Sequence, residues 1–456
     1  MRLMLGLAVL LGSVLVLRLR GEESTRKPAA APTAEQLINQ LSSKDFQVRE
    51  NASKALAALG KEALPAMQKA RALSDPETRR RLDELIPPLE RALTLAPKLV
   101  TLHMTNKPIG DVLGELSKQT GYKISTNNEW APQIVNNNQP GRKDRIVYTF
   151  HLDKVPFWQA LDKVCEAGGM VLQQYYGGWG GDDSLHVFPQ EAYVPFASYT
   201  GPFKVMATSF NYSRSNNFGT LPKNPVQPAQ QANEFLQVNL QVATEPKLPI
   251  LRVGQVKLQA ALDDEGHSMM PRPDQVGGGP WGRMYYGWYR GYVQQAQANL
   301  SWPSKSSRTV KLLKGIIPVT LLADQKPSIV TDRILSSKGK KFKVGDATFH
   351  IEDITEMPGN QYQIKLSVTE NSKDAPNDYS RIQTIQQRLE LQDDKGNKLY
   401  SYMNMMNWGG PNNAQFTLVV QPPGNAKIGK PAKLIYSAWI LMEHEIAFEF
   451  RNLPLP

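Results

Sequence analysis

Val100-Thr-Leu-His-Met104 alternates apolar and polar side chains, so Val100, Leu102 and Met104 share one face of a strand. Asn106-Lys-Pro-Ile109 then turns the chain. Apolar residues recur at Ile109, Val112, Leu113 and Leu116, the spacing of a helix face, which stops at Thr120-Gly121, where glycine can take the left-handed conformation of a helix end. Tyr122-Lys-Ile124 predicts a second strand. The same order returns downstream: Ile146 to Leu152 as strand, Val155-Pro-Phe157 as turn, Trp158 to Ala167 as helix, Gly168-Gly169 as stop, then strands over Met170 to Tyr175 and Leu185 to Phe188. Two rounds of strand, helix and strand predict a small α/β domain over 99–190.

The ordered pair of half-motifs carries a resemblance. Pro108, Val112, Leu116, Thr120 and Gly121 in the first half, and Pro156, Ala160, Leu161, Val164 and Gly168 in the second, resemble the STN domain. That short domain is shared by the N-termini of secretins and TonB-dependent transducers. The resemblance implies a periplasmic setting and contacts with neighbouring envelope proteins. Neither a secretin core nor long amphipathic barrel strands follow it, so the chain departs from both parent families.

Upstream, Leu3 to Leu17 is an apolar run of 15 residues after Arg2, the length of an export-signal core. Residues 1–20 are expected to be a signal peptide or an inner-membrane anchor, and 21–33 a flexible linker. Arg18 and Arg20 follow the run, and no A-x-A-like cleavage site sits just beyond it. From 34 to 96 the apolar period is helical. Leu41, Asp45-Phe46, Arg49, Ala52, Leu56, Leu59-Gly60 and Ala63-Leu64 resemble a HEAT-type helical repeat, with Asp75-Pro76-Glu77 starting a second helix pair.

Beyond residue 200 the pattern becomes alternation. Phe203-Lys-Val-Met-Ala-Thr-Ser-Phe210 looks like Phe342-Lys-Val-Gly-Asp-Ala-Thr-Phe349, and Asp263-Asp-Glu-Gly266 looks like Asp393-Asp-Lys-Gly396, which predicts an internal duplication. Two tandem β-sandwich domains over 200–334 and 340–456 are expected. The predicted class is multidomain α+β: helical hairpins, an STN-like βαβ domain, then the sandwiches. A chain of 456 residues with 33 prolines and 33 glycines suits such a β-rich, multidomain design.

Composition narrows the chemistry. Cys165 stands alone, so one chain can build neither a disulfide nor a thiolate metal site, and its place beside Val164 predicts a buried side chain. The net charge of +11 is scattered, and Arg79-Arg-Arg81 is balanced by Asp75, Glu77, Asp83 and Glu84, so nucleic acid is not an expected partner. The six histidines are widely spaced; His103 and His151 open equivalent strands on the face opposite the apolar one and are expected to face solvent. No metal site, nucleophilic triad or cofactor motif is legible, so no cofactor and no enzymatic activity are expected. The acidic runs at 263–266 and 393–396 read as tight turns, since neither supplies the spaced acids of a calcium loop.

Aromatic rings in glycine-rich loops are the most unusual local composition. Trp281, Tyr285, Tyr286, Trp288 and Tyr289 lie in one such loop, Trp179 in a second and Trp408 in a third. Such rings stack on sugars or anchor protein partners. The expected protein is therefore an exported envelope scaffold that binds protein partners, with a carbohydrate- or cell-wall-binding protein as the alternative. The membrane enters only through the N-terminal segment.

Overall fold

A computed structural model of the chain describes residues 32–125, 146–172, 184–189, 195–215, 233–271, 290–302, 306–359, 361–370, 380–408, 410, 412–421 and 429–456. The class is mixed α+β with several sheets. The chain divides into two compact units, one ending at Leu93 and one starting at Thr94.

The first unit is helical: α1 (Ala34–Gln40), α2 (Phe46–Leu59), α3 (Leu64–Leu73) and α4 (Pro76–Thr94). Each start has a chemical cause. Thr33 and Gln36 bond reciprocally as a capping box, Asp45 accepts from the Gln47 N–H, and Asp75 accepts from Glu77 and Thr78 ahead of Pro76. Leu41, Leu56, Met67, Leu82 and Ile86 close its core. Burial of such side chains contributes about 1.5–3 kcal/mol each. The arginine triplet is occupied in this unit: Arg80 pairs with Glu77 and Glu84, and the buried Arg81 reaches Glu50 on α2 at 2.8 Å.

The second unit opens with the α/β region. Its elements are β1 (Leu99–Lys107), α5 (Ile109–Thr120), β2 (Lys123–Ser125), β3 (Tyr148–Pro156), α6 (Phe157–Gly168), β4 (Met170–Leu172) and β5 (Ser184–Pro189). The two halves match residue for residue. Pro108 and Pro156 precede the helices, Asn106 and Lys154 take positive φ values of 51° and 49°, and Gly121 and Gly169 end the helices in the left-handed region. The expected stop at Gly168-Gly169 falls with Gly168 as the last helical residue and Gly169 as the left-handed cap. Gly168 also allows close packing, since a Cβ there would lie 2.8 Å from the end of the Met170 side chain and 3.1 Å from Ile109. Strands β1 and β3 pair antiparallel with His103 opposite His151, while β5 lies between β2, to which it is parallel, and the antiparallel β4. Leu102, Leu116, Phe157, Trp158 and Leu161 fill the core between helices and strands.

The rest is β. Strands β6 (Ala197–Thr200), β7 (Phe203–Ser215), β8 (Asn233–Thr244) and β11 (Val293–Leu300) form one sheet in the order β11-β8-β7-β6. It packs through Val205, Leu240 and Ala298 on β9 (Ile250–Val253), β10 (Lys257–Asp263), β12 (Thr309–Thr331) and the end of β19 (Lys433–Pro454), a sandwich-like body. The second core lies between β13 (Lys341–Val344), β14 (Ala347–Met357), β15 (Gln361–Glu370), β18 (Asn413–Gln421), β17 (Lys398–Trp408), β16 (Leu389–Gln392) and the start of β19.

The two β bodies share a hairpin, in a different register from the one the sequence suggests. Phe203–Phe210 lies within one continuous strand, whereas Phe342–Phe349 is a hairpin folded at Gly345, φ 57°. The true counterpart of that hairpin is β6-β7, folded at Gly201, φ 56°. With these hairpins superposed, the β-bulge of β7 between Ala207 and Ser209 coincides with that of β14 between Ile351 and Asp353. Strands β12, 23 residues long, and β19, 22 residues long, pair from Thr309↔Pro454 to Thr331↔Leu434. Each strand therefore serves both cores: Val330 of β12 enters the second, and Ile446, Phe448 and Phe450 of β19 enter the first. The expectation that the closing strand over 432–450 belongs to the second copy alone gives way to a reciprocal exchange.

Candidate functional site

The aromatic residues singled out by composition mostly fall outside the described residues: Trp281, Tyr285, Tyr286, Trp288, Tyr289 and Trp179 do so. Trp408 ends β17 opposite Ala414, and its side chain is likewise outside them.

His103 and His151 are exposed on the β1-β3 face, with ring centroids 6.2 Å apart. Asp153 on the same strand as His151 bonds His103 Nε2 at 2.6 Å. The acidic turns are braces. Asp263, fully buried, accepts from the His267 N–H at 2.7 Å and the Ser307 hydroxyl at 2.6 Å, and Asp393 accepts from the N–H groups of Lys395, Asn397 and Gly429 and from the Asn397 amide. Glu265 and His267 do bring ligand atoms within 4.8 Å of Asp263. Asn397 occupies the place of His267 in the second copy and makes the same turn, so the grouping follows from turn closure.

Charged groups that sequence reading passed over fasten the α/β region to the first sandwich-like body. Glu245, fully buried just after β8, accepts from the Lys98 N–H at 3.0 Å and from the Tyr122 hydroxyl at 2.7 Å. Burial raises its pKa, partly offset by the Tyr122 hydrogen bond and by Lys247. Asp162 on α6 binds Lys204 Nζ and the Tyr199 hydroxyl, each at 2.6 Å, and Trp158 donates to the Pro202 carbonyl at 3.0 Å. Cys165, buried beside this cluster, has its thiol pushed up to about 12 by burial and by Asp162, as an inert core residue requires.

Among the described residues these ties cover one end of the outer face of the sheet β11-β8-β7-β6. Met206 and Ala243 lie there in the α/β core. Further along, the outer face is built from carboxamides. Cross-strand register places Asn211, Gln237 and Asn299 in one rung, Ser209, Asn239 and Gln297 in the next, and Gln241 with Gln295 beside Met206. Gln237 donates to Gln297 at 3.1 Å, and Asn239 donates to Ser209 at 2.9 Å. Two polar atoms here have no protein partner among the described residues: Asn239 Oδ1 and, in a residue 3% exposed, Gln241 Nε2. The signal was present as strict alternation in Leu236-Gln-Val-Asn-Leu-Gln-Val242, but pairing with β11 and β7 is what makes it a surface.

No family model and no curated protein sequence matches the chain. Among solved structures it is similar to the conserved domain protein from Bacillus anthracis, at 11% identity and a TM-score of 0.14, over 55% of this chain and 88% of that one. At that TM-score the likeness defines neither fold nor function.

Proposed function

We propose that the chain is an exported envelope protein that acts as a non-enzymatic scaffold. It would carry HEAT-like hairpins, an STN-like domain and two β-sandwich domains. The observation that supports this reading best is how buried charge is used. Glu245, Asp263 and Asp393 each tie backbone or side chains of separate elements together, which stiffens a framework and leaves its faces presented to partners. The β1-β3 face with His103 and His151 is one such surface. The test is fractionation with N-terminal sequencing of the mature chain, combined with photocrosslinkers placed at His103 and at His151. Export and a discrete crosslinked envelope protein are expected; a cytosolic, partner-free monomer overturns the reading. A second reading, binding of carbohydrate, is favoured by the uncharged amide face, whose paired donors and acceptors match hydroxyl groups.

A further inference from the structure

We infer that His103, His151 and Asp153 form a surface site for a divalent transition-metal ion, a set of two imidazoles and one carboxylate that suits Zn²⁺ and Cu²⁺. The first ground is the internal symmetry of the α/β region. β1-α5 and β3-α6 repeat one half-motif, in which Pro108 matches Pro156, Asn106 matches Lys154 and Gly121 matches Gly169. In that match His103 corresponds to His151, and the antiparallel pairing of β1 with β3 sets the two directly opposite each other. A residue on a twofold axis meets its own copy, so one histidine in each half makes a pair. Side chains directly opposite have Cβ atoms about 4.5–5.5 Å apart, within reach of one ion. Both histidines are exposed, on the face away from Leu102, Phe150 and Leu152, which enter the core. The two ligating strands are far apart in sequence, so the spacing of histidines along the chain does not reveal the pair.

The second ground is the third ligand, where the symmetry breaks. Thr105 holds in the first half the place that Asp153 holds in the second. Pairing shifts register between Val100↔Val155 and Leu102↔Leu152, and Lys154 in that interval takes a φ of 49°. The bulge re-aims Asp153 across the strands. Its Oδ1 comes to 2.6 Å from His103 Nε2, so the carboxylate and one imidazole already converge on a single point.

The third ground is reach. Two ligands on one tetrahedral ion lie ~3.3 Å apart, and two imidazoles that share it have ring centroids roughly 5 Å apart. The His103 and His151 centroids are 6.2 Å apart with the rings edge to face. Closing that gap by about 1 Å, and opening the Asp153 contact by slightly less, takes only side-chain torsions of exposed residues. Water completes the shell on the outer side. The more compact group Asp263, Glu265 and His267 is committed elsewhere, since the fully buried Asp263 spends one oxygen on the His267 N–H and the other on the Ser307 hydroxyl.

The experiment is calorimetric titration of the untagged full chain with Zn²⁺, with Cu²⁺ as a paramagnetic probe of the ligands. Saturable binding of one Zn²⁺ per chain is expected, and Cu²⁺ spectra that show coupling to two imidazole nitrogens. His103→Ala and His151→Ala are each expected to weaken Zn²⁺ binding about tenfold or more and to leave coupling to a single nitrogen. Asp153→Asn is expected to weaken binding while both nitrogens remain coupled. All three positions are exposed, so the metal-free melting temperature is expected to stay that of the parent. His267→Ala is expected to bind as the parent does. Failure of the parent to bind Zn²⁺, binding that is unchanged in His103→Ala and His151→Ala, or binding that is lost in His267→Ala each overturns the proposal.

Discussion

Asp393 shows what a buried carboxylate gains from a turn built around it. Hydrogen bonds from the Asn397 side chain, and then from the backbone of Asn397, Gly429 and Lys395, outweigh burial and hold its pKa down from 3.8 to about 2. A carboxyl with a depressed folded-state pKa contributes stability that is fully present above its unfolded value and lost as pH falls through the folded one. Asp393→Asn is therefore expected to lower the melting temperature at neutral pH and to flatten its decline between pH 3.8 and about 2, measured by calorimetry across that window. Parent and variant curves that run parallel through the window would refute the assignment. Glu245 has the opposite character, since burial raises its pKa, and the Tyr122 hydrogen bond and the Lys247 charge offset that only in part. The Asp turns were legible because their partners are local. Glu245 was not: it sits in an ordinary-looking Thr-Glu-Pro stretch, and its partner Tyr122 lies 123 residues away in sequence.

At the scale of elements, two glycine hairpins set the duplicated sheets. Gly201 and Gly345 both take positive φ, and a Cβ at Gly345 would meet open space, so strain there is conformational alone. Gly345→Ala is expected to destabilise by about 1–2 kcal/mol. Chemical denaturation checks this, and a change near zero would mean the hairpin is free to choose another turn. Helices, their stops and the strand–helix–strand order of 99–190 were readable because apolar spacing and proline or glycine punctuation are local signals. The match of Phe203–Phe210 with Phe342–Phe349 misled because Phe-Lys-Val suits any half-buried strand, whereas the glycine that folds one segment is missing from the other. The amide rows were visible as alternation on β8, but three strands from distant parts of the chain had to meet before they formed a surface.

For the molecule as a whole, β12 and β19 matter most. Between the two cores, residues 324–329 of β12 are exposed and pair only with β19 among the described residues, so a two-stranded ribbon connects the bodies. An isolated ribbon of that kind is marginal in water, and its persistence here depends on both ends being anchored. Val330 anchors it in one core, and Ile446, Phe448 and Phe450 anchor it in the other. Neither strand belongs to one copy, because each carries buried positions at both ends, on either side of the exposed stretch 324–329 of β12. A fragment covering 195–332 keeps the hairpin and β12 but lacks the second copy's returning strand. It is expected to elute as a homodimer in which two β12 strands pair with each other, with a monomer by light scattering as the contrary result. The natural chain has thus made covalent what such a fragment would have to achieve by concentration: a twofold self-association written into one polypeptide, whose stoichiometry no dilution can undo.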